Sequence, residues 1–177
     1  MPLINAEKEA AQISVYEPVL ITGLFQTEEY ARLVFSHGLQ RDKLDELVAI
    51  RMERQAVLTA PNAPMVFLLI RESALCDVPS EVRLGQCKRL LELAELPNIS
   101  IQVLPACAYV FQPTGFQILT LERSADVAYI EGTGRNGQML TDVTAVQNLT
   151  VLFNVARSEA LSATESAALI RTIMEGT

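Results

Sequence analysis

The pattern of apolar residues predicts an α+β fold, with helices packed around a small mixed, partly antiparallel sheet. Three observations carry this reading. Helical spacing marks both ends of the chain, β-branched runs occupy the middle, and helical spacing returns between the first two of those runs. The runs suit about four or five strands. With 50% hydrophobic residues among 177, residues 1–177 carry enough apolar mass for one core and are read as a single domain.

Taken in order, Ala6, Ala10 and Ile13 recur at helical steps, so Asn5 to Val15 reads as a short amphipathic helix. Thr27 precedes Glu28 and Glu29, acids suited to the positive end of a helix that runs through Ala31, Val34 and Phe35 and stops at Gly38. From about Asp42 to Leu58 one helical face reads Leu44, Leu47, Arg51, Arg54, Leu58. Met65 to Ile70 is apolar at every position, as a central strand covered on both faces requires. Pro79 to Leu93 returns to helical spacing, with Val82, Cys87, Leu90, Leu91 and Ala94 on one side. Ile99 to Val103, Phe116 to Leu121 and Val127 to Ile130 follow as strands, read as an antiparallel meander. Val146, Leu149, Phe153 and Ala156 mark another helix. Ser162 and Glu165 form a capping box ahead of a last helix carrying Leu169, Ile170 and Ile173.

Composition excludes several function classes. Fourteen Lys and Arg against twenty-one Asp and Glu give a net charge of −7, which provides no positive field for a phosphate backbone, so this chain is not expected to bind nucleic acid directly. The longest apolar run is far short of a membrane span, and no basic flank precedes an apolar stretch at the N-terminus, so no membrane association is expected. Cys76, Cys87 and Cys107 are read as reduced, buried thiols in a cytoplasmic protein.

Few constellations carry chemistry. Gly132 to Gly137 spells G-x-G-x-x-G, but no helix opens at its last glycine, so a glycine-rich hairpin turn explains it better than a dinucleotide cofactor does. With one histidine and dispersed cysteines, no metal and no cofactor is expected. His37, beside Gly38 at a helix end, reads as a cap. Arg51 and Arg54 are costly to bury unpaired, so they meet carboxylates such as Glu72 or Glu131 or clamp a ligand. Glu72, Glu131 and Tyr129 are the candidates for proton transfer if they converge on a closed pocket. The segment from Pro105 to Pro113 carries Cys107, Tyr109, Val110 and Phe111 where polar residues are expected; it plugs the core or lines a pocket.

Several phrases occur together in order: Gly23-Leu24-Phe25-Gln26-Thr27-Glu28-Glu29-Tyr30-Ala31-Arg32, Arg51 with Arg54-Gln55 and Leu58, and Glu72-Ser73-Ala74-Leu75. Pro97 to Pro105, Gly115-Phe116, Asp126 to Glu131 and Ala160-Leu161-Ser162 complete the series. On these the chain resembles, over nearly its whole length, the C-terminal effector domain of actinobacterial Xre-type, antitoxin-like transcriptional regulators. The resemblance implies a domain that follows a helix-turn-helix and senses a ligand or binds a small partner protein. Here no helix-turn-helix precedes Met1, so the chain is read as an excised effector domain or as a product that has lost its DNA reader. It departs from the family at Thr22, ordinarily proline, and from Ala106 to Phe111, where a glycine and a histidine are usual.

The leading expectation is therefore a regulatory effector domain binding a small apolar molecule or a small partner protein. The expected ligand-binding residues are Arg51, Arg54, Cys107, Tyr109, Phe111, Phe116, Tyr129 and Glu131, with the apolar loop against an enclosed cavity and sparse polar handles. One alternative is a domain repurposed as a natural-product cyclase or isomerase. The other is a homodimerisation module built on the final helix.

Overall fold

The computed structural model describes residues 2–38, 41–110, 112–132 and 137–176. Helix α1 (Pro2–Glu9) runs directly into strand β1 (Ala10–Glu17). The helix expected over residues 5–15 is thus corrected: its second half is a strand. From Ile13 to Glu17 every residue is buried. Burial on both faces of a sheet outweighs the local helical spacing that Ala6, Ala10 and Ile13 display.

Helix α2 (Glu28–Ser36) is capped as expected, with the Thr27 hydroxyl accepting from the Tyr30 N–H, and His37 is its C-cap. The expected helix from Asp42 becomes a short 3₁₀ turn, α3 (Leu44–Arg54) and a second 3₁₀ turn over Gln55–Thr59. Strand β2 (Met65–Arg71), helices α4 (Glu72–Cys76) and α5 (Ser80–Ala94), and strand β3 (Ile99–Leu104) follow. After the loop come β4 (Phe116–Leu121), β5 (Val127–Ile130) and β6 (Gln138–Leu140), then α6 (Val143–Ser158) and α7 (Ala163–Glu175). In α7 both hydrogen bonds of the Ser162–Glu165 capping box are present.

The strands form one mixed sheet in the order β3-β2-β1-β4-β5-β6, six among the described residues where about four or five were expected. The uncounted strands are β1 and the three-residue β6, too short to show alternation. Strands β1, β2 and β3 are parallel, with helical crossovers between them; β4, β5 and β6 are antiparallel. The meander expected of β3, β4 and β5 is thus corrected: β3 pairs parallel with β2 at the far edge, and the antiparallel run is β4-β5-β6. Strand β6 pairs antiparallel with β5 directly after the glycine-rich stretch, a hairpin-type pairing that a dinucleotide-binding crossover would not make. Thr133 to Asn136 lie outside the described residues.

Two apolar layers clamp the sheet. On one face Ile13, Val15, Val66, Leu68, Ile70, Ile101 and Leu119 pack with Leu24, Phe25, Leu75, Leu90, Ile170 and Ile173. On the other, Tyr16, Leu69, Phe116, Ile118 and Ala128 pack against Val146, Phe153 and Ala156 of α6. Ile170 and Ile173 are thus spent inside the chain, so the final helix does not offer them to a second copy. Cys87 is buried as expected, whereas Cys76 and Cys107 are exposed, because Cys76 ends a short helix and Cys107 sits on a surface turn.

Ile13, with no exposed surface, leaves a cavity when truncated. Ile13→Ala is expected to cost about 2–5 kcal/mol in urea unfolding, whereas Val151→Ala, at an exposed position of α6, stays within about 0.5 kcal/mol.

Candidate functional site

The register of three strands builds the polar part of the first face. Val15 pairs with Gln117, and Gln117 with Tyr129. One step on, Glu17 lies over Gly115, whose carbonyl accepts from the Glu131 N–H at 3.0 Å. Because alternate residues share a face, Glu17, Gln117, Tyr129 and Glu131 project together toward the side covered by α3. Gly115 is what lets them approach. A Cβ there would stand 2.9 Å from Glu17 Oε2 and 3.4 Å from Glu131 Oε2, so both carboxylates border the space a larger residue would fill.

Two arginines of α3 face these acids. Arg51 Nη1 donates to Gln26 Oε1 at 2.8 Å, and its guanidinium carbon lies 4.7 Å from the centre of the Phe35 ring. Its side chain also lies flat on Gly23, where a Cβ would come within 2.5–2.9 Å of it. The Gly23 turn is in turn fixed by Gln55, whose Nε2 donates to Gly23 O at 3.0 Å and Gln26 O at 2.7 Å. Gln26 Nε2 donates to Ile21 O at 2.6 Å. Arg54 forms a two-bonded pair with Glu7 of α1, Nε to Oε2 at 2.6 Å and Nη2 to Oε1 at 2.5 Å. Glu7 is 1% exposed, so this is a buried pair in the geometry that best offsets desolvation.

Burial pushes the Glu17 carboxyl well above the ordinary carboxylate range; the neighbouring Glu131 charge adds to this, and Thr22, Arg51 and Arg54 oppose it. The Thr22 hydroxyl faces Glu17 closely enough to favour its charged form, yet without the geometry of a hydrogen bond. Glu131 is also raised by desolvation, against the pull of Arg51 and Arg54. It is nonetheless exposed to solvent, which weakens that effect and makes it the mouth of the cluster. Glu17, the more deeply buried of the two, is therefore the one whose proton is held the more tightly. Burial likewise raises Tyr30, with the Glu17 charge contributing.

Arg54 also belongs to a groove of about 570 Å³ between α1, α3 and the 3₁₀ turn that follows α3. Ile4, Ile50, Ala56, Val57, Ala60 and Pro61 supply its apolar wall; Lys8, Glu53, Arg54 and Asn62 are its polar points. Arg54 is common to groove and cluster: it lines the first and lies within electrostatic reach of Glu17 and Glu131.

Of the residues the sequence singled out, Arg51, Arg54 and Glu131 come together here, and Tyr129 shares the sheet face with its hydroxyl over Gly137. The others do not join them. Phe116 packs on the opposite face, its ring 5.5 Å from that of Tyr16. Cys107 and Tyr109 are exposed, Tyr109 at 84%, and neither lines this groove or a second, more polar one of about 490 Å³ near Lys8 and Arg123. Phe111 lies outside the described residues. Val110 is buried and plugs the second apolar layer. The loop is pinned there by Arg71 Nη1 donating to Val110 O at 2.6 Å, Tyr16 Oη to Gln112 O at 2.9 Å and Ala106 N to Glu72 Oε2 at 2.8 Å. Glu72 thus holds the loop, and the partner of Arg54 is Glu7, neither Glu72 nor Glu131. Glu7, Glu17, Thr22, Gln26 and Gln117 were missed. An Ile13-Val15-Glu17 alternation was the signal for Glu17, hidden by reading that stretch as a helix.

Two outcomes check this geometry. Arg54→Met leaves the Glu7 charge buried and unpaired and is expected to cost about 3–5 kcal/mol; adding Glu7→Leu restores most of it, as chemical denaturation of the single and double variants would show. The folded state holds the Glu17 proton more tightly than the unfolded chain does. That share of stability is complete below the unfolded value of about 4.3 and is lost as pH rises through the raised folded value. Thermal melts from pH 5 to 8 should therefore show stability falling with pH, and Glu17→Gln should flatten the slope, leaving the share that belongs to Glu131.

Residues 1–172 match a protein family described as Domain of unknown function (DUF5753). No curated protein matches the chain.

Proposed function

Since the chain belongs to the DUF5753 family, a domain of unknown function, we propose from its own geometry that it is a regulatory effector domain that binds a small, mostly apolar molecule and acts through a DNA-binding module. The observation that carries this reading is the groove at Arg54. Its volume of about 570 Å³ lies within the range of small-molecule pockets, and an apolar wall with few polar points is the usual composition of such a pocket. The resemblance to Xre-type effector domains supports the regulatory part. The net charge of −7 supports leaving DNA contact to another module.

Recognition of a small partner protein is the variant of this reading in which the groove receives an apolar side chain. A second reading, an isomerase or cyclase, is favoured by one observation: a buried, proton-holding carboxyl, Glu17, stands beside a solvent-reaching one, Glu131, which is how an acid and a base are set apart in one site.

The groove reading is tested with the neutral fluorophore N-phenyl-1-naphthylamine. Its emission should rise saturably with the purified chain, and Ile50→Glu, at a partly exposed wall position, should weaken binding about tenfold while the melting temperature stays close to that of the parent. Equal affinity in parent and variant would place the probe elsewhere and overturn the reading.

A further inference from the structure

The charges of the sheet-face cluster do not balance. Among the described residues the carboxyls of Glu17 and Glu131 lie within electrostatic reach of two guanidiniums, Arg51 and Arg54. Glu7 and Arg54 neutralise each other, which leaves two carboxyls opposite Arg51. Among the described residues Tyr30 from α2 also feels the Glu17 charge and is neutral at physiological pH, while Tyr129 of β5 lays its hydroxyl over Gly137.

Two buried polar atoms point the same way. Thr22 Oγ1 and Gln117 Oε1, on residues each 2% exposed, have no hydrogen-bond partner. Thr22 faces Glu17, and Gln117 lies one register step from the Glu17–Gly115–Glu131 row on the same face. Buried polar atoms without partners each cost about 1–3 kcal/mol, so a hydroxyl and an amide oxygen beside a surplus carboxyl describe a place short of partners and of positive charge. A metal ion fits poorly, since among the described residues no three acidic, His or Cys side chains converge. A nitrogen cation, carrying one charge and several N–H donors, meets every one of these unsatisfied groups.

We propose that this end of the sheet face is a binding site for the ammonium or amidinium group of a small organic molecule, held by the carboxylates of Glu17 and Glu131, the Thr22 hydroxyl and the side-chain carbonyl of Gln117. The proposal rests on the reading of the domain as a small-molecule receptor and adds the chemistry of the ligand's polar head. Binding takes place with loss of the Glu17 proton: the N–H donors replace it on the carboxylate and the proton passes to solvent through the exposed Glu131 mouth.

The experiment is calorimetric titration of the full chain with cyclohexylamine and with benzamidine at pH 7, in two buffers of different ionisation enthalpy. Benzyl alcohol, benzoate and calcium chloride serve as controls. Saturable binding of both cations is expected, with about one proton released per site and no saturation by the controls. Glu17→Gln should weaken the cations about tenfold or more, and Gln117→Leu by a smaller factor, because each loses an acceptor for a charged donor. Both variants should still bind N-phenyl-1-naphthylamine like the parent, which shows that they are folded. Absence of saturation, a stronger response to calcium, equal affinity in the two variants, or no proton release would each overturn the proposal. If the fluorophore binds and the amines do not, the cation site alone falls; if neither binds, the receptor reading falls with it.

Discussion

The constraint on which the molecule turns is that its central strand ends in a carboxylic acid that cannot reach water. β1 is the one strand that touches both halves of the sheet, parallel to β2 on one side and antiparallel to β4 on the other. Its residues cannot be displaced without separating the halves. Glu17 is the last of them, 2% exposed, and a charge so placed is worth several kcal/mol unless it is neutralised or paired. Much of the surrounding sequence follows from this. Gly115 makes room for the carboxyl, Gly23 makes room for the arginine that answers it, and Gln26, Gln55 and Phe35 hold that arginine in place.

The two faces of the sheet divide the work accordingly. The face under α6 has an apolar centre with Ser14 beside it and Gln102 accepting from Arg157 at its edge, and the unusual loop after β3 completes it: Val110 goes inside, while Tyr109 and Cys107 remain in solvent. The face under α2, α3 and α5 is apolar over β1, β2 and β3 but polar where β1 gives way to β4 and β5. Stability therefore comes from the parallel half and from α6. The polar corner gives some of it back, because its buried carboxyl and unpartnered polar atoms are costly to desolvate.

Much of the fold was legible, and the reasons for the failures are physical. Elements whose periodicity agreed with their caps came out correctly: Thr27 and Ser162 each cap a helix, and the unbroken apolar run of β2 became an interior strand. β1 was missed because Ala6, Ala10 and Ile13 satisfy a helical spacing that is broken only by a bulge between Ala10 and Gln12. β6 was missed because three residues cannot show alternation. Within the site, Arg51 and Arg54 were legible as polar residues on an apolar helical stripe, and Glu131 and Tyr129 as residues at a strand end. Glu7, Glu17 and Gln117 were not, since their meeting depends on the register of β1 against β4 and on α1 folding onto α3. The apolar loop misled for a related reason: hydrophobicity marks what is buried, and here the buried part was one valine.

Groove and cluster are joined by one side chain, and this has a consequence for what the domain can transmit. Arg54 walls the groove, pairs with Glu7 on α1 and acts electrostatically on Glu17 at the end of the central strand. Displacement of Arg54 would alter the field at Glu17, and a change of charge on Glu17 would act back on Arg54. The pair Arg54–Glu7 is also the charged tether by which α1 is held onto α3, with the 25 residues that separate Arg51 from Gln26 and the 47 that separate Arg54 from Glu7 closed into one unit. The Arg54–Glu7 pair is thus the point at which α1, α3 and the polar end of the sheet face are coupled, and removing either partner leaves the other's charge buried.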